Sequence, residues 1–143
     1  MLDLKALLSK ILQMFKISDQ QQITSLGKSW WFWKVGNIVY VDASSDMNAS
    51  VAAGSTVIGT LKPSLRPIGN VYLKCTNTTE DVRLIIVPSG TVTFYHPSYT
   101  TGARNCGFSG YSYIANGGGL KLLDWLRERI LTPIQNGGGC LVC

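Results

Sequence analysis

The chain has 143 residues, a length that favours one domain with short appendages. Apolar residues make up 45% of it, enough for a core, whereas charged residues make up only 15%, below the roughly 25% of an average soluble protein. The net charge of +5 comes from scattered Lys and Arg residues without a basic run interleaved with aromatics, which argues against a nucleic-acid-binding protein.

Residues 1–17 are predicted to form an N-terminal oligomerisation helix. Apolar residues recur at steps of four and three over residues 3–15, which is the spacing of a coiled-coil seam. Two heptads are too short to be stable alone, so this helix is expected to pack against copies of itself or against the domain. The seam consists of Leu4, Leu8, Ile11 and Phe15. Residues 18–28, which begin with a polar run, are predicted to be a linker.

The same N-terminal segment does not have the pattern of a signal peptide. Asp3 precedes Lys5, and Lys10 interrupts the apolar run. No run of about 18 apolar residues occurs in the chain, so no membrane insertion is predicted. Synthesis without Sec export is therefore expected, although the charge-poor composition is typical of extracellular β-proteins.

Residues 29–116 are predicted to form a mainly β domain, an antiparallel β-sandwich of jelly-roll-like form. Residues 29–41 alternate between two faces with β-branched and aromatic side chains, and we interpret them as one strand. Pro88-Ser-Gly is a hairpin signal between two later strands. Short strands separated by turn signals are typical of sandwiches and barrels. The further predicted strands are 55–61, 71–75, 82–87, 91–95 and 109–115.

Residues 117–135 are predicted to form a C-terminal helix after a glycine break, and residues 136–143 a Gly/Cys tail. The apolar face of this helix is a second candidate for oligomerisation. The CxxC spacing of Cys140 and Cys143 follows glycines rather than a strand-to-helix turn, which argues against a redox motif. Prenylation of the tail and cross-linking between subunits stay open as alternatives, as does pairing of Cys75 with Cys106. The apolar face of the helix contains Leu122, Leu126 and Ile130.

Catalytic machinery is not predicted, and neither a metal nor a cofactor is expected. The single histidine, His96, lies in a turn before a proline, a position more typical of a structural or solvated side chain. The sequence contains no nucleophile elbow, Walker loop or HExxH motif. The pairs Asp42/Asp46 and Glu80/Asp81 would suit calcium chemically, but their spacing favours solvated loops.

Aromatic residues provide the candidate ligand contacts. Three tryptophans occur within four residues, and on a strand Trp31 and Trp33 share one face while Trp30 and Phe32 share the other. One pair is expected in the core, and the other either at a subunit interface or on an exposed platform for sugar rings. The candidate ligand-binding residues are Trp30, Trp31, Trp33, Tyr95 and Tyr99.

Several short motifs resemble the distal domains of tail and baseplate receptor-binding proteins of phages and prophages of Gram-positive bacteria. They are Val35-Gly-Asn-Ile-Val-Tyr-Val, Ile58-Gly-Thr-Leu, Leu65-Arg-Pro, Val87-Pro-Ser-Gly-Thr-Val and Gly110-Tyr-Ser-Tyr-Ile-Ala. The resemblance covers roughly residues 1–115. The chain departs from the family at Leu61-Lys-Pro and in its C-terminal extension.

The resemblance implies a non-enzymatic virion protein that forms a homo-oligomer, expected to be a trimer, and contacts other tail proteins. In such relatives the β-sandwich often binds a cell-surface polysaccharide, which makes the phage tail or another extracellular appendage the expected location. Two alternatives stay open: a repeating structural subunit of a filament without a ligand, and a small secreted carbohydrate-binding module.

Overall fold

The computed structural model describes residues 3–116 and 125–130, in which the chain is mainly β with two four-stranded antiparallel sheets. Helix α1 covers Leu4–Gln13, the 3₁₀ helix η1 covers Pro63–Leu65, and residues 125–130 are helical. The strands are β1 (Ile17–Ser25), β2 (Lys28–Val35), β3 (Ile38–Ala43), β4 (Met47–Asn48), β5 (Gly54–Thr60), β6 (Val71–Lys74), β7 (Arg83–Ile86), β8 (Thr91–His96), β9 (Ala103–Arg104) and β10 (Phe108–Ile114).

The first sheet has the strand order β1-β2-β3-β10, and the second has the order β5-β8-β7-β6. Strands β4 and β9 form a separate two-stranded sheet. Tight turns connect the first three strands. Leu26 and Gly27 both have positive φ, +57° and +67°, which matches the twist of a two-residue hairpin between β1 and β2.

The core lies between the inner faces of the two sheets. Trp30 of β2 packs against Phe94 of β8 with ring centroids 5.8 Å apart, and against Phe108 of β10 at 5.7 Å. Every second residue of β2 is buried, as period-two geometry requires of a strand with one face in the core. The buried apolar residues of both sheets therefore form one cluster.

The prediction of a linker over residues 18–28 is wrong, because most of this segment is the edge strand β1. Its inner face is partly polar, which hid the strand in the sequence. The Gln21 amide donates to the Thr60 carbonyl and accepts from the Lys62 backbone N–H, both at 2.9 Å. The β1 side chains thereby satisfy backbone groups that follow β5, a contact that no local pattern specifies.

The prediction of a single strand over residues 29–41 is also wrong, because the segment is the hairpin of β2 and β3. Val35 pairs with Ile38 across a two-residue turn in which Gly36 has φ +62°. A Gly-Asn pair between alternating apolar runs is a hairpin signal. The turn places Val35 on the face opposite to Val39, whereas a continuous strand would place both on one face.

The remaining strand predictions are confirmed to within a few residues, as is the N-terminal helix. The predicted hairpin at Pro88-Ser-Gly is present: Gly90 N–H donates to the Val87 carbonyl at 2.8 Å, and Ile86 pairs with Val92. The short strands β4 and β9 were not predicted. Residues 117–124 and 131–143 lie outside the described residues, and with them most of the predicted C-terminal helix and the Gly/Cys tail.

Candidate functional site

The outer face of the first sheet carries aromatic and polar side chains side by side. Strand register aligns Trp33 with Gln20 of β1 and Tyr40 of β3, and it aligns Trp31 with Gln22 and Asp42. Partners directly opposite each other in a sheet project to the same face. The apolar residues Val35, Ile38 and Ile114 lie on the same outer face toward the β2–β3 turn. We call the part of this surface around the tryptophans the aromatic face, and it consists of Gln20, Gln22, Trp31, Trp33, Tyr40, Asp42 and Ser112.

Two tryptophans form the centre of the aromatic face. The Trp31 and Trp33 rings are stacked, with centroids 5.7 Å apart and an angle of 10° between their planes. Both side chains are partly exposed, and the neighbouring Tyr40 is 46% exposed. Large aromatic side chains are normally buried well, so an exposed pair of parallel rings favours contact with a ligand or a partner.

Amide groups border these rings on the β1 side. The side chains of Gln20 and Gln22 are exposed, and Gln22 Nε2 donates to the Ser29 hydroxyl at 2.8 Å. That bond fixes the Gln22 amide on the face that also carries its register partner Trp31. Each glutamine amide offers two N–H donors and one carbonyl acceptor, so this border can bond both kinds of group on a ligand.

A cavity of about 260 Å³ adjoins Trp31 at the end of β3. One oxygen of Asp42, Oδ1, is buried and has no hydrogen-bond partner among the described residues. Asp42 as a whole is partly exposed and lines this cavity, so its side chain lies within reach of a ligand there. The cavity is lined by Ser29, Trp31, Asp42, Ala43, Ser44 and Ser45.

Trp30 does not belong to this site, and its prediction as a ligand contact is wrong. Its side chain is 0% exposed, because it projects to the inner face of β2. The indole N–H donates to the Ser25 carbonyl at 3.1 Å, so the polar edge of the ring is satisfied within the protein. Only the Trp31/Trp33 half of the tryptophan cluster remains a candidate surface.

The structure separates the two candidate tyrosines from the tryptophan pair. Tyr95 lies on the outer face of the second sheet, where the Arg83 guanidinium stacks 4.9 Å from its ring centroid. Tyr99 is 63% exposed in the loop that follows β8. Neither residue extends the aromatic face.

Sequence reasoning missed the polar residues of the aromatic face and Tyr40. The signal that would have found Tyr40 is the Gly36-Asn37 turn, since a two-residue hairpin there pairs Val35 with Ile38 and thereby Trp33 with Tyr40. Gln20 and Gln22 have no such local signal, because they belong to β1, whose polar sequence predicts a linker and not a strand.

The residues predicted for oligomerisation form an exposed stripe along α1 that continues to Phe15, just after the helix ends. No residue of this helix is buried, and Leu4, Leu8 and Phe15 are 75%, 58% and 76% exposed. Leu12 is exposed beside them, whereas Ile11 is half-buried. In the short C-terminal helical segment Leu126 is half-buried and Ile130 is exposed, and Leu122 lies outside the described residues.

His96 occupies a structural position. It is buried, its Nε2 lies 3.4 Å from a Glu80 carboxylate oxygen, and its Nδ1 accepts from the Ser98 N–H at 3.2 Å. Both ring nitrogens are therefore engaged within the protein. Within residues 3–116 and 125–130, no three His, Cys, Asp or Glu side chains come together in a metal-binding group. No helix in this part of the chain is long and apolar enough to cross a membrane.

Comparison with models of known protein families and with curated proteins found no match to this chain. The inference of function therefore depends on the aromatic face and on the exposed stripe of α1.

Proposed function

We propose that this chain is a non-enzymatic attachment protein of the phage-tail type, and that the aromatic face binds a cell-surface saccharide. The observation that carries the proposal is the stacked Trp31/Trp33 pair on a solvent-facing sheet. The two sheets share one core between their inner faces, which supports a sandwich with this outer face free for binding.

The chemistry of the aromatic face suits a sugar. A pyranose ring presents an apolar C–H face and a rim of hydroxyl groups. The indole faces of Trp31 and Trp33 match the apolar C–H face of the sugar, because an aromatic ring is flat and apolar and loses little conformational entropy on binding. The amides of Gln20 and Gln22 match the hydroxyl groups of the sugar, because each amide can donate and accept hydrogen bonds.

We expect the cavity next to Trp31 to contribute most to the specificity of the protein for its saccharide. The Asp42 carboxylate at this cavity can accept hydrogen bonds from hydroxyl groups or from an amine, and three serines line the same space. A charged acceptor beside a partly enclosed space discriminates against ligands that lack a matching donor.

The phage-tail context of the proposal comes from the short motifs that resemble receptor-binding tail proteins, together with the β-rich fold. In this context the protein is made in a bacterial cytoplasm and acts on the virion, alongside other tail proteins. A small secreted carbohydrate-binding module would use the same face, and the presence or absence of oligomers separates these two roles.

Binding is tested with the full chain and polysaccharide purified from Gram-positive cell walls, using isothermal titration calorimetry. Trp31→Ala and Trp33→Ala are each expected to lower affinity at least tenfold, in the range of a binding hot spot. Tyr72→Ala is the matched control, since Tyr72 is 58% exposed on the second sheet. Equal affinities for all four proteins, or no binding by the parent, would overturn the proposal.

A second candidate function, a repeating structural subunit without a ligand, is favoured by the unburied apolar stripe of α1. Its exposed leucines and Phe15 suit contact with further copies of the chain. Size exclusion with light scattering is expected to give a closed homo-oligomer, with a trimer as the proposed state. Helical polymers in electron micrographs would favour the filament subunit instead, and a monomer at micromolar concentration would contradict both roles.

A further inference from the structure

Cys75 and Cys106 lie side by side at the edge of the core. Cys75 directly follows β6, Cys106 precedes β10, and both are buried with free thiols. Burial, the neighbouring Cys75 and the hydrogen bond that joins the two thiols raise the pKa of Cys106 to about 11. Cys75 in turn donates its S–H to Asn77 Oδ1 at 2.9 Å, so the two thiols and the amide form a chain.

The backbone next to both cysteines is fixed by direct bonds. The Thr76 N–H and the Thr76 hydroxyl both donate to the Gly107 carbonyl, at 2.9 and 3.0 Å. The Gly107 N–H donates back to Asn77 Oδ1 at 2.7 Å. These bonds hold the two segments at adjacent positions, where the two thiols are close enough to share a hydrogen bond.

Lys28 fixes the other side of Cys106. Its ammonium group is buried, donates a hydrogen bond to the Cys106 carbonyl and lies 5.0 Å from the Trp30 ring centroid. This anchor involves the main chain of Cys106 and not its sulfur. The position of the Cys106 backbone is therefore set independently of the oxidation state of the thiol.

We propose that Cys75 and Cys106 are a modification site, at which a small-molecule disulfide such as oxidised glutathione converts the two thiols into an intrachain disulfide. One protein thiolate attacks a glutathione sulfur, which forms a mixed disulfide and releases one reduced glutathione. The second protein thiolate then attacks the mixed disulfide, forms the Cys75–Cys106 bond and releases the other. Two protein thiols are oxidised and one glutathione disulfide is reduced to two thiols.

This reaction is slow in the folded chain and fast during folding. The buried Cys106 thiol is almost wholly protonated near neutral pH, and only the thiolate attacks a disulfide. The segment that contains Cys106 must open before the oxidant can enter. The site is independent of the aromatic face, so it stands whether or not the chain binds a saccharide.

The test is a tryptic map of the full chain, because the two cysteines fall in different peptides. Cleavage after Lys74, Arg83, Arg104 and Lys121 gives peptides 75–83 and 105–121, whereas Cys140 and Cys143 stay together in peptide 130–143. One sample is incubated folded with oxidised glutathione, and a second is refolded from the reduced, unfolded state in the same buffer. Free thiols are then alkylated without reduction.

In the refolded sample, a disulfide is expected to join peptides 75–83 and 105–121. In the folded sample the same disulfide is expected to form more slowly. The oxidised chain is expected to melt about 10 °C above the same chain treated with dithiothreitol, because the bond closes a loop of about 30 residues. A Cys140→Ser/Cys143→Ser variant should keep this shift, and Cys75→Ser should lose it. Alkylation of both peptides in both samples, or mixed disulfides alone, would overturn the proposal.

Discussion

The two faces of β2 place the same residue type in opposite roles. On the inner face Trp30 is fully buried, its N–H is bonded within the chain, and it packs on Phe94 and Phe108. On the outer face Trp31 and Trp33 stack on each other, partly exposed, among exposed amides. Neighbouring positions on the strand thus lie in different surroundings, one in the core and the other on the surface, as period-two geometry requires.

The tryptophan cluster therefore consists of two parts, a buried tryptophan in the core and a partly exposed pair on the outer face. The inner tryptophan has every contact it needs within the chain, so its loss should affect folding. The outer pair is stacked and partly exposed, so under the proposed function its loss should affect binding. Four substitution experiments test this division.

Trp30→Ala is expected to lower the free energy of unfolding by about 3–5 kcal/mol, since it removes a fully buried ring and leaves a cavity. Trp31→Ala should cost about 1 kcal/mol or less, because its ring is partly exposed. Urea denaturation followed by circular dichroism measures both. If Trp30→Ala does not fold, Trp30→Phe should show a smaller loss of the same sign. Equal losses at the two positions would break the division.

Asp42→Asn is expected to weaken saccharide binding about tenfold, or about 1.4 kcal/mol, without loss of stability. The substitution keeps the size and shape of the side chain, so the free energy of unfolding should change little. Calorimetric titration and urea denaturation measure the two quantities. The control is Asp46→Asn, at an exposed position in the loop after β3. An equal loss of affinity in the control would show that charge alone matters.

Lys28, on the inner face of β2, predicts a dependence of stability on pH. Burial lowers the pKa of its ammonium group below the ordinary 10.5, although Cys106, Cys75, Asp46 and Asp42 partly oppose this. Between the lowered folded-state pKa and 10.5, the unfolded chain binds more protons than the folded chain. Stability contributed by this group therefore rises with pH through that window.

Lys28→Met removes this dependence. The free energy of unfolding of the parent minus that of the variant is expected to increase as pH rises from 7 toward 10, measured by urea denaturation at each pH. Tyr113 and Cys106, whose pKa values burial raises, oppose the trend in both proteins, so the comparison uses the difference between them. A difference that does not change with pH would contradict the assignment.

A substitution in the exposed stripe of α1 is expected to change the free energy of unfolding only slightly. Leu8→Asp should change the free energy of unfolding by less than about 0.5 kcal/mol, because Leu8 is 58% exposed. It should nevertheless lower the mass measured by light scattering, since it places a charge in the proposed contact between copies. Ser9→Asp adds the same charge at an exposed polar position. Dissociation by both variants would mean that charge, rather than the apolar stripe, controls assembly.

Local patterns in the sequence were sufficient to predict a mainly β chain with a short N-terminal helix and most of its strands. Period-two alternation also separates Trp30 from Trp31 and Trp33, although it does not say which set is inside. That choice depends on Phe94 and Phe108, which reach Trp30 only through long-range strand pairing. It could not be made from a single segment.

The edge strand β1 was missed for a similar reason. Its polar residues resemble a linker until their partners are known, and those partners include backbone atoms of Thr60 and Lys62, some 40 residues away. Gln20 and Gln22, the polar border of the candidate site, were missed with it. The Gly36-Asn37 turn, in contrast, was a local signal that was available in the sequence.

Hydroxyl-radical footprinting with mass spectrometry tests the central claim most directly. The full chain is labelled at a concentration where it is assembled, with and without cell-wall polysaccharide. Trp31 and Trp33 are expected to be oxidised without the saccharide and protected by it, while Trp30 stays unmodified in both samples. Protection of Trp31 and Trp33 in the assembled chain without saccharide would contradict the account, because the aromatic face would then be an interface between subunits.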